Sequence, residues 1–145
     1  MLGGMQDAPL RVTNIIDHAA REHGHREVVS RWADGTTSRS NWAGIHEDAR
    51  KCAQALQKLG VEKGDRVGTL AMNHGHHLAS WYGIAGVGGV LHTINPRLFE
   101  EQLVYIMNHA EDRVLLFDKA FEPLVEKIKP QLKTIQHFVL FDGEG

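Results

Sequence analysis

The chain has 145 residues, of which 42% are hydrophobic, and its formal net charge at neutral pH is −2. This composition excludes a disordered chain and supplies enough apolar side chains for one domain, or for one large part of a domain. The 16 basic and 18 acidic residues are interspersed. Without the basic field that draws proteins to nucleic acids or anionic membranes, we expect no nucleic-acid partner.

Neither the N-terminus nor the longest apolar run resembles a targeting or membrane segment. Residues 1–7 lack the basic start and continuous apolar core of a secretory signal. The run over residues 81–91 contains four glycines and is far shorter than the ~20 residues that span a bilayer. The single cysteine, Cys52, lies among helical apolar residues, where a small core side chain is favoured over a reactive thiol. We therefore expect a cytoplasmic protein with no transmembrane segment.

The first predicted elements are an amphipathic helix and a hairpin. Apolar residues follow helical spacing over residues 12–20, and Gly24 lies where this helix should end. Two β-prone segments, 27–32 and 36–40, flank the dipeptide Asp34-Gly35. We expect this dipeptide to supply the positive φ angles of a tight antiparallel turn.

The next segment has the most regular helical pattern in the chain. Its apolar residues alternate spacings of three and four over residues 42–59, and Gly60 follows directly. Asn41 stands at the cap position, but Gly44 replaces the Glu that would complete a capping box. Because the pattern lasts under three heptads, one helix packed on a sheet is favoured over a coiled coil.

From residue 66 onward, strand and helix patterns alternate. The predicted order is strand 66–72, helix 78–87, strand 89–94, helix 99–109, strand 113–117, a helix over 124–132 that ends or bends near Pro130, and strand 137–141. This alternation predicts an α/β fold with a doubly wound, mostly parallel sheet, right-handed crossovers and flanking helices, preceded by the N-terminal helix and β-hairpin. The acidic, glycine-rich residues 142–145 are typical of a connection, so we expect part of a larger domain.

The glycine-rich stretch 83–89 is the first candidate for ligand chemistry. It matches no phosphate-loop pattern, and it falls at the end of a predicted helix, where the dipole is negative. We therefore favour close packing between helix and sheet over phosphate binding. A glycine-flanked nucleophile elbow is also missing from the sequence, which disfavours serine hydrolase chemistry.

Three histidines, His74, His76 and His77, follow the first strand of the predicted parallel sheet, where doubly wound sheets bind ligands. A metal-dependent enzyme that uses this cluster is one hypothesis. However, neither a cysteine nor a paired carboxylate lies nearby in the sequence, and the spacing is not that of H-E-x-x-H. We favour solvated loop histidines, one of them hydrogen-bonded to a sheet end, and assign no metal site.

Polar residues also end the next strand, at His92, Thr93 and Asn95. They could line a substrate cleft, or they could cap the turn that Asn95-Pro96 begins, and the sequence leaves both alternatives open. Together with His74, they form our candidate wall of a substrate cleft. We assign no catalytic residue.

Several segments share one order and spacing: G-V-x-x-G-D-R-V at 60–67, the loop 73–78, L-H-T-x-N-P-R-L at 91–98, Y-I-x-N-H-A-E-D at 105–112 and Q-H-F-V at 136–139. In combination they resemble the N-terminal region of bacterial fatty-acid–CoA ligases, which belong to the adenylate-forming acyl-CoA synthetase superfamily. The resemblance extends over about residues 14–141.

This resemblance implies that residues 1–145 are the N-terminal part of a large AMP-binding domain whose C-terminal remainder is absent. The whole enzyme would activate a medium- or long-chain fatty acid with ATP and Mg²⁺, and then transfer the acyl group to coenzyme A. Because the family's phosphate loop, Mg-binding motif and catalytic lysine have no counterpart here, the resemblance implies a fragment that is inactive and binds none of these cofactors tightly. The alternative is a free-standing, non-catalytic α/β binding module.

The resemblance also implies a partner. Some bacterial members of the family form homodimers through their N-terminal arms. We therefore expect a homodimer contact within residues 1–26.

Overall fold

The computed structural model describes residue 4 and residues 8–141. Its elements, in chain order, are α1 Thr13–His23, β1 Glu27–Arg31, β2 Thr37–Asn41, α2 Trp42–Lys58, β3 Arg66–Leu70, α3 Gly75–Gly86, β4 Val90–Thr93, α4 Glu100–His109, β5 Asp112–Asp118, α5 Glu122–Ile128 and β6 His137–Phe141. Short 3₁₀ turns, Lys119–Phe121 and Lys129–Gln131, flank α5. The predicted connection at 142–145 and most of residues 1–7 lie outside the described residues.

A parallel sheet of four strands, in the order β4-β3-β5-β6, forms the centre of the fold. Side chains alternate between its two faces, as the pleat requires. On one face, Val67 and Val114 pack with Ile84 of α3 and with residues of α2. On the other, Leu70 and Leu115 pack with side chains of α4 and α5. Helices on both faces confirm the predicted doubly wound α/β architecture, and β1 and β2 confirm the antiparallel hairpin.

The strand order creates a topological switch point between β3 and β5. From β3 the chain passes through α3 to β4 on one side, and then through α4 to β5 on the other side of β3. The carboxyl ends of β3 and β5 are therefore neighbours, while the helices that follow them leave toward opposite faces. Crevices at such points are the usual ligand sites of open α/β sheets.

The hairpin turn differs from the prediction. Gly35 has a φ of +87°, but Asp34 does not share this conformation. Instead, Oδ1 of Asp34 accepts hydrogen bonds from the backbone N–H and the hydroxyl of Thr36, at 2.8 and 2.7 Å. The expectation of two positive φ angles was wrong, because the Asp34 side chain stabilises the turn in a different way.

The N-termini of two helices are capped by side chains. The Oδ1 atom of Asn41 accepts the N–H of Gly44 at 2.9 Å, as the sequence predicts for α2. A Cβ at Gly44 would lie 2.6 Å from Oγ of Ser40, so glycine leaves room for this turn. His74 caps α3, which consequently begins at Gly75 and not near residue 78.

The glycine-rich part of α3 packs against α2. A Cβ at Gly83 would lie 2.8 Å from the carbonyl oxygen of Ala49 and 2.9 Å from Cβ of Cys52. The close approach is therefore between two helices, and our expectation of helix-to-sheet packing at this glycine was wrong. Cys52 is half-buried in this contact, and its burial raises the pKa of the thiol to about 11.

Within the described residues, no helix combines the length and the apolar character needed to cross a bilayer.

Candidate functional site

His74 occupies the switch point, in the connection between β3 and α3, and its side chain is 0% exposed. Its Nδ1 accepts the N–H of His77 at 3.2 Å, which assigns the ring proton to Nε2. That Nε2 donates to Oδ1 of Asp118 at 2.7 Å, while Oδ2 of Asp118 accepts the N–H of Met72 at 2.7 Å. One carboxylate at the end of β5 thus binds the β3–α3 connection at two points.

Aromatic rings enclose the His74 imidazole. Trp32 stacks on it with ring centroids 4.3 Å apart, and Phe141 at the end of β6 meets it edge-on at 5.6 Å. The hairpin makes a second attachment nearby, because Oγ of Ser30 accepts the N–H of Gly75 at 2.8 Å. These contacts join the hairpin to the first turn of α3.

His77 is held in the first turn of α3 by two hydrogen bonds. Its Nδ1 donates to the carbonyl of Met72 at 3.0 Å, and its Nε2 accepts the hydroxyl of Thr69 at 3.0 Å. Burial lowers the pKa of His77, which agrees with a neutral ring.

The histidine cluster therefore differs from the solvated loop that the sequence suggested. His74 is buried, and His76 and His77 belong to α3. The expected hydrogen bond from one histidine to a sheet end is present, between His74 and Asp118. Since every ring nitrogen of His74 and His77 already has a partner, neither ring offers a free ligand to a metal ion. The described part of the chain contains no group of three His, Cys, Asp or Glu residues placed to hold one.

A cleft of about 540 Å³ opens at this edge of the sheet. We call it the carboxyl-edge cleft; its lining includes Val28, His74, Leu78, Trp81, Tyr82 and Thr93. Its apolar side chains come from β1 and α3, and its polar residues include His74, which follows β3, and Thr93, which ends β4. Two of the four predicted cleft residues, His74 and Thr93, are therefore brought together here.

His92 and Asn95 do not line this cleft. Neighbouring side chains of a strand point to opposite faces, so His92 and Thr93 cannot both face it. Nδ1 of His92 lies 2.7 Å from Oδ2 of Asp112, on the face covered by α4 and α5. Oδ1 of Asn95 accepts the N–H of Arg97 at 3.0 Å, which is the turn-capping alternative that the sequence left open.

Sequence reasoning missed Asp118, Trp32 and Ser30. Asp118 had a usable signal, because a carboxylate that directly follows a buried apolar strand lies at the ligand-binding edge of a parallel sheet. Trp32 and Ser30 had none, since the position of a hairpin relative to a separate sheet depends on long-range packing.

The chain is similar to several known proteins. Residues 16–145 match a family model described as AMP-binding enzyme. The chain is 56% identical over 140 residues to a 3-methylmercaptopropionyl-CoA ligase of Ruegeria lacuscaerulensis, covering 97% of this chain and 26% of that protein. It is 47% identical over 141 residues to a long-chain-fatty-acid–CoA ligase of Thermus thermophilus, again covering 97% and 26%.

Solved structures agree with the fold. The crystal structure of the anthranilate CoA ligase AuaEII in complex with anthranoyl-AMP superposes with a TM-score of 0.80 at 25% identity. The match covers 94% of this chain and 27% of that one. The chain therefore spans about a quarter of the length of the relatives that it matches.

Proposed function

Because the chain belongs to the AMP-binding enzyme family, we propose that it is the N-terminal part of the large AMP-binding domain of an ATP-dependent acid–CoA ligase. The observation that carries this proposal is the 56% identity to a CoA ligase over 97% of the chain. The relatives are about four times longer, which supports a longer protein that contains residues 1–145.

The longer protein would use ATP and Mg²⁺ to convert an acid to an acyl-adenylate and pyrophosphate, and the thiol of coenzyme A would then displace AMP. The described residues do not fit a Mg²⁺ site, because they contain no group of three His, Cys, Asp or Glu side chains placed to hold a metal ion. We propose that groups elsewhere in the longer protein bind the metal and the phosphates. The 145-residue chain alone is then inactive.

We propose that the carboxyl-edge cleft is one wall of the substrate site. Its position at the switch point supports this role, as does its volume of about 540 Å³, which lies in the range of ligand pockets. The apolar lining from Trp81 and Leu78 suits the hydrocarbon part of an acid, while Thr93 offers a hydroxyl. The buried ring of His74 gives the wall a fixed shape.

Two acids are candidate substrates. A medium- or long-chain fatty acid is supported by the 47% identity to the Thermus thermophilus enzyme. A short thioether acid, 3-methylmercaptopropionate, is favoured by the higher identity of 56% to the Ruegeria lacuscaerulensis enzyme. A free-standing binding module without catalysis is the alternative to both.

The test is pyrophosphate release by the longer protein with ATP, Mg²⁺, coenzyme A and each acid in turn. We expect acid-dependent release and formation of the acyl-CoA thioester, and no release by residues 1–145 alone. Release of pyrophosphate by residues 1–145 alone would contradict the proposal that groups elsewhere in the longer protein bind the metal and the phosphates. Failure of the longer protein with every acid would favour the binding module.

We also propose a homodimer contact at the N-terminal arm. The described part of the arm exposes three large apolar side chains, Leu10 by 104%, Val12 by 39% and Ile15 by 59%. They border an open groove on α1. The cytoplasmic location and the lack of a nucleic-acid partner stay predictions from the sequence.

A further inference from the structure

We propose that Asp118 is a positioning residue of the substrate site: its carboxylate fixes the β3–α3 connection, and with it His74, in the geometry that the substrate meets. This inference rests on the proposed function, because it assumes that the carboxyl-edge cleft is a wall of a ligase site. The inference goes beyond the proposed function because it makes Asp118, which does not itself line the cleft, responsible for the geometry of the cleft wall.

Each oxygen of the Asp118 carboxylate accepts a hydrogen bond from a different residue of the β3–α3 connection. Oδ2 accepts the N–H of Met72, just after β3, and Oδ1 accepts Nε2–H of His74, the residue that caps α3. Both distances are 2.7 Å, and Asp118 is 5% exposed. Hydrogen bonds of this length to a buried carboxylate are charge-assisted and strong. The end of β3 and the start of α3 are therefore both held from a neighbouring strand.

The position of His74 affects the cleft through two contacts and through the ring itself. Its Nδ1 accepts the N–H of His77 in the first turn of α3, and its ring stacks on Trp32 in the hairpin connection. The imidazole itself lines the cleft. Because both nitrogens and one ring face are engaged, His74 cannot rotate without breaking a contact. A shift of the Asp118 carboxylate would move the cleft wall.

An asparagine cannot replace this carboxylate. The side-chain amide has one acceptor oxygen, whereas Met72 and His74 both present donors. In either orientation the amide NH₂ would face a donor. A change of the His74 tautomer would relieve this clash at Nε2, but it would place a proton on Nδ1 and break the cap on His77. Asp118→Asn therefore loses at least one contact in every arrangement.

The same strand offers a matched control. Asp112 is also buried, at 0% exposure, and is also 2.7 Å from a histidine, but this pair lies on the face away from the cleft. Asp112→Asn thus tests whether loss of any buried carboxylate on β5 has the same effect. Leu115→Ala, on that same opposite face, controls for loss of stability alone.

The experiment compares wild type with Asp118→Asn, Asp112→Asn and Leu115→Ala in the longer protein, at a temperature where all four are folded. Two readouts are measured: kcat and KM for the acid, and hydrogen exchange of the peptides that cover residues 71–78. We expect Asp118→Asn to lower kcat/KM between tenfold and a hundredfold, since small displacements of positioning groups have effects of this order. We expect faster exchange over 71–78 in this variant. The two controls should stay within about threefold of wild type and leave this exchange unchanged.

A second variant keeps the test decisive if Asp118→Asn does not fold. His74→Asn retains an acceptor for the α3 cap, because asparagine is a good N-cap residue, but it loses the imidazole Nε2–H that reaches Asp118. It should show the same loss of kcat/KM and the same local exchange.

If activity and exchange of Asp118→Asn, or of His74→Asn in its place, match wild type, the proposal is overturned. Equal losses in the controls would also overturn it. If the wild type has no ligase activity, the proposed function fails, and the exchange over 71–78 alone decides whether Asp118 positions this connection.

Discussion

The imidazole of His92 reaches the carboxylate of Asp112 across β3, with 2.7 Å between Nδ1 and Oδ2. The contact passes over Gly68, where an added Cβ would lie only 3.0 Å from that oxygen. The other oxygen of Asp112 is buried and has no hydrogen-bond partner. The sheet therefore carries two Asp–His pairs, one on each face. In the pair of Asp112 and His92, one carboxylate oxygen lacks a hydrogen-bond partner.

We predict that Asp112→Asn changes the pH dependence of stability. Burial raises the pKa of Asp112 above its ordinary value of 3.8, although the hydrogen bond from His92 and the charge of Arg66 oppose this. A raised carboxyl pKa means that the native state binds the proton more tightly than the unfolded state. The stability that this group contributes is therefore present at low pH and is lost as pH rises from about 4 through the raised pKa.

Urea denaturation of wild type and Asp112→Asn between about pH 3.5 and pH 5.5 measures this effect, below the range in which histidines ordinarily titrate. Relative to wild type, the variant should become more stable as pH rises. A free-energy difference that is constant over this range would contradict the prediction.

Gly83→Ala should weaken the contact between α2 and α3. The added methyl would lie 2.8 Å from the backbone oxygen of Ala49, which cannot move without shifting the helix. We expect the free energy of unfolding to fall by about 1–3 kcal/mol, the usual cost of overpacking.

Gly86→Ala, three residues later on α3, is the control. Its methyl would meet nothing closer than 3.9 Å, so the variant should gain about 0.5 kcal/mol from helix propensity. Thermal unfolding measures both variants, and an equal change in the free energy of unfolding for Gly83→Ala and Gly86→Ala would contradict this account.

Glu111→Gly should stabilise the protein. Glu111 follows α4 with a φ of +54°, a conformation that favours glycine by about 1 kcal/mol. Its salt bridge to Arg66 spans 2.7 Å, but the Glu111 side chain is 71% exposed, and such pairs contribute little. Glu111→Gln keeps the backbone strain and removes the charge, and it should be no more stable than wild type. If chemical denaturation shows that Glu111→Gly is less stable than wild type, the ion pair with Arg66 outweighs the backbone strain.

Ile15→Glu should dissociate the proposed homodimer. Ile15 is 59% exposed on the apolar groove of α1, and an introduced carboxylate would have to lose its hydration in the interface. Arg21→Gln changes the net charge by the same one unit on the same helix, outside that groove, and should leave the dimer intact. Sedimentation equilibrium measures both variants. A dimer that persists in Ile15→Glu would exclude this surface.

Much of the fold was predictable from the sequence, because its signals are local. The apolar periodicity of α2, the glycine after its last turn and the alternation of β and α patterns each depend on neighbouring residues. The start of α3 was missed because its cap is His74, and histidine is not a usual N-cap residue. Its capping role depends on the contact with Asp118, 44 residues away in the sequence.

The candidate site was predictable only in part. Of the four polar residues that the sequence placed at this edge of the sheet, His74 and Thr93 line one cleft. His92 was grouped with Thr93 because they are adjacent in sequence, but the pleat places them on opposite faces. The partner of His92, Asp112, lies on a strand that is not adjacent to β4 in the sheet, and sequence spacing carries no signal of that contact.

The most direct test of the central claim, that the carboxyl-edge cleft is a wall of the substrate site, is hydrogen exchange of the longer protein with and without a non-hydrolysable acyl-adenylate analogue. We predict protection of residues 28–32 and 73–82 on binding, and no change over residues 111–113 and 133–136 at the opposite edge of the sheet. Binding of the analogue without protection of residues 73–82, or with protection only at the opposite edge, would contradict the account.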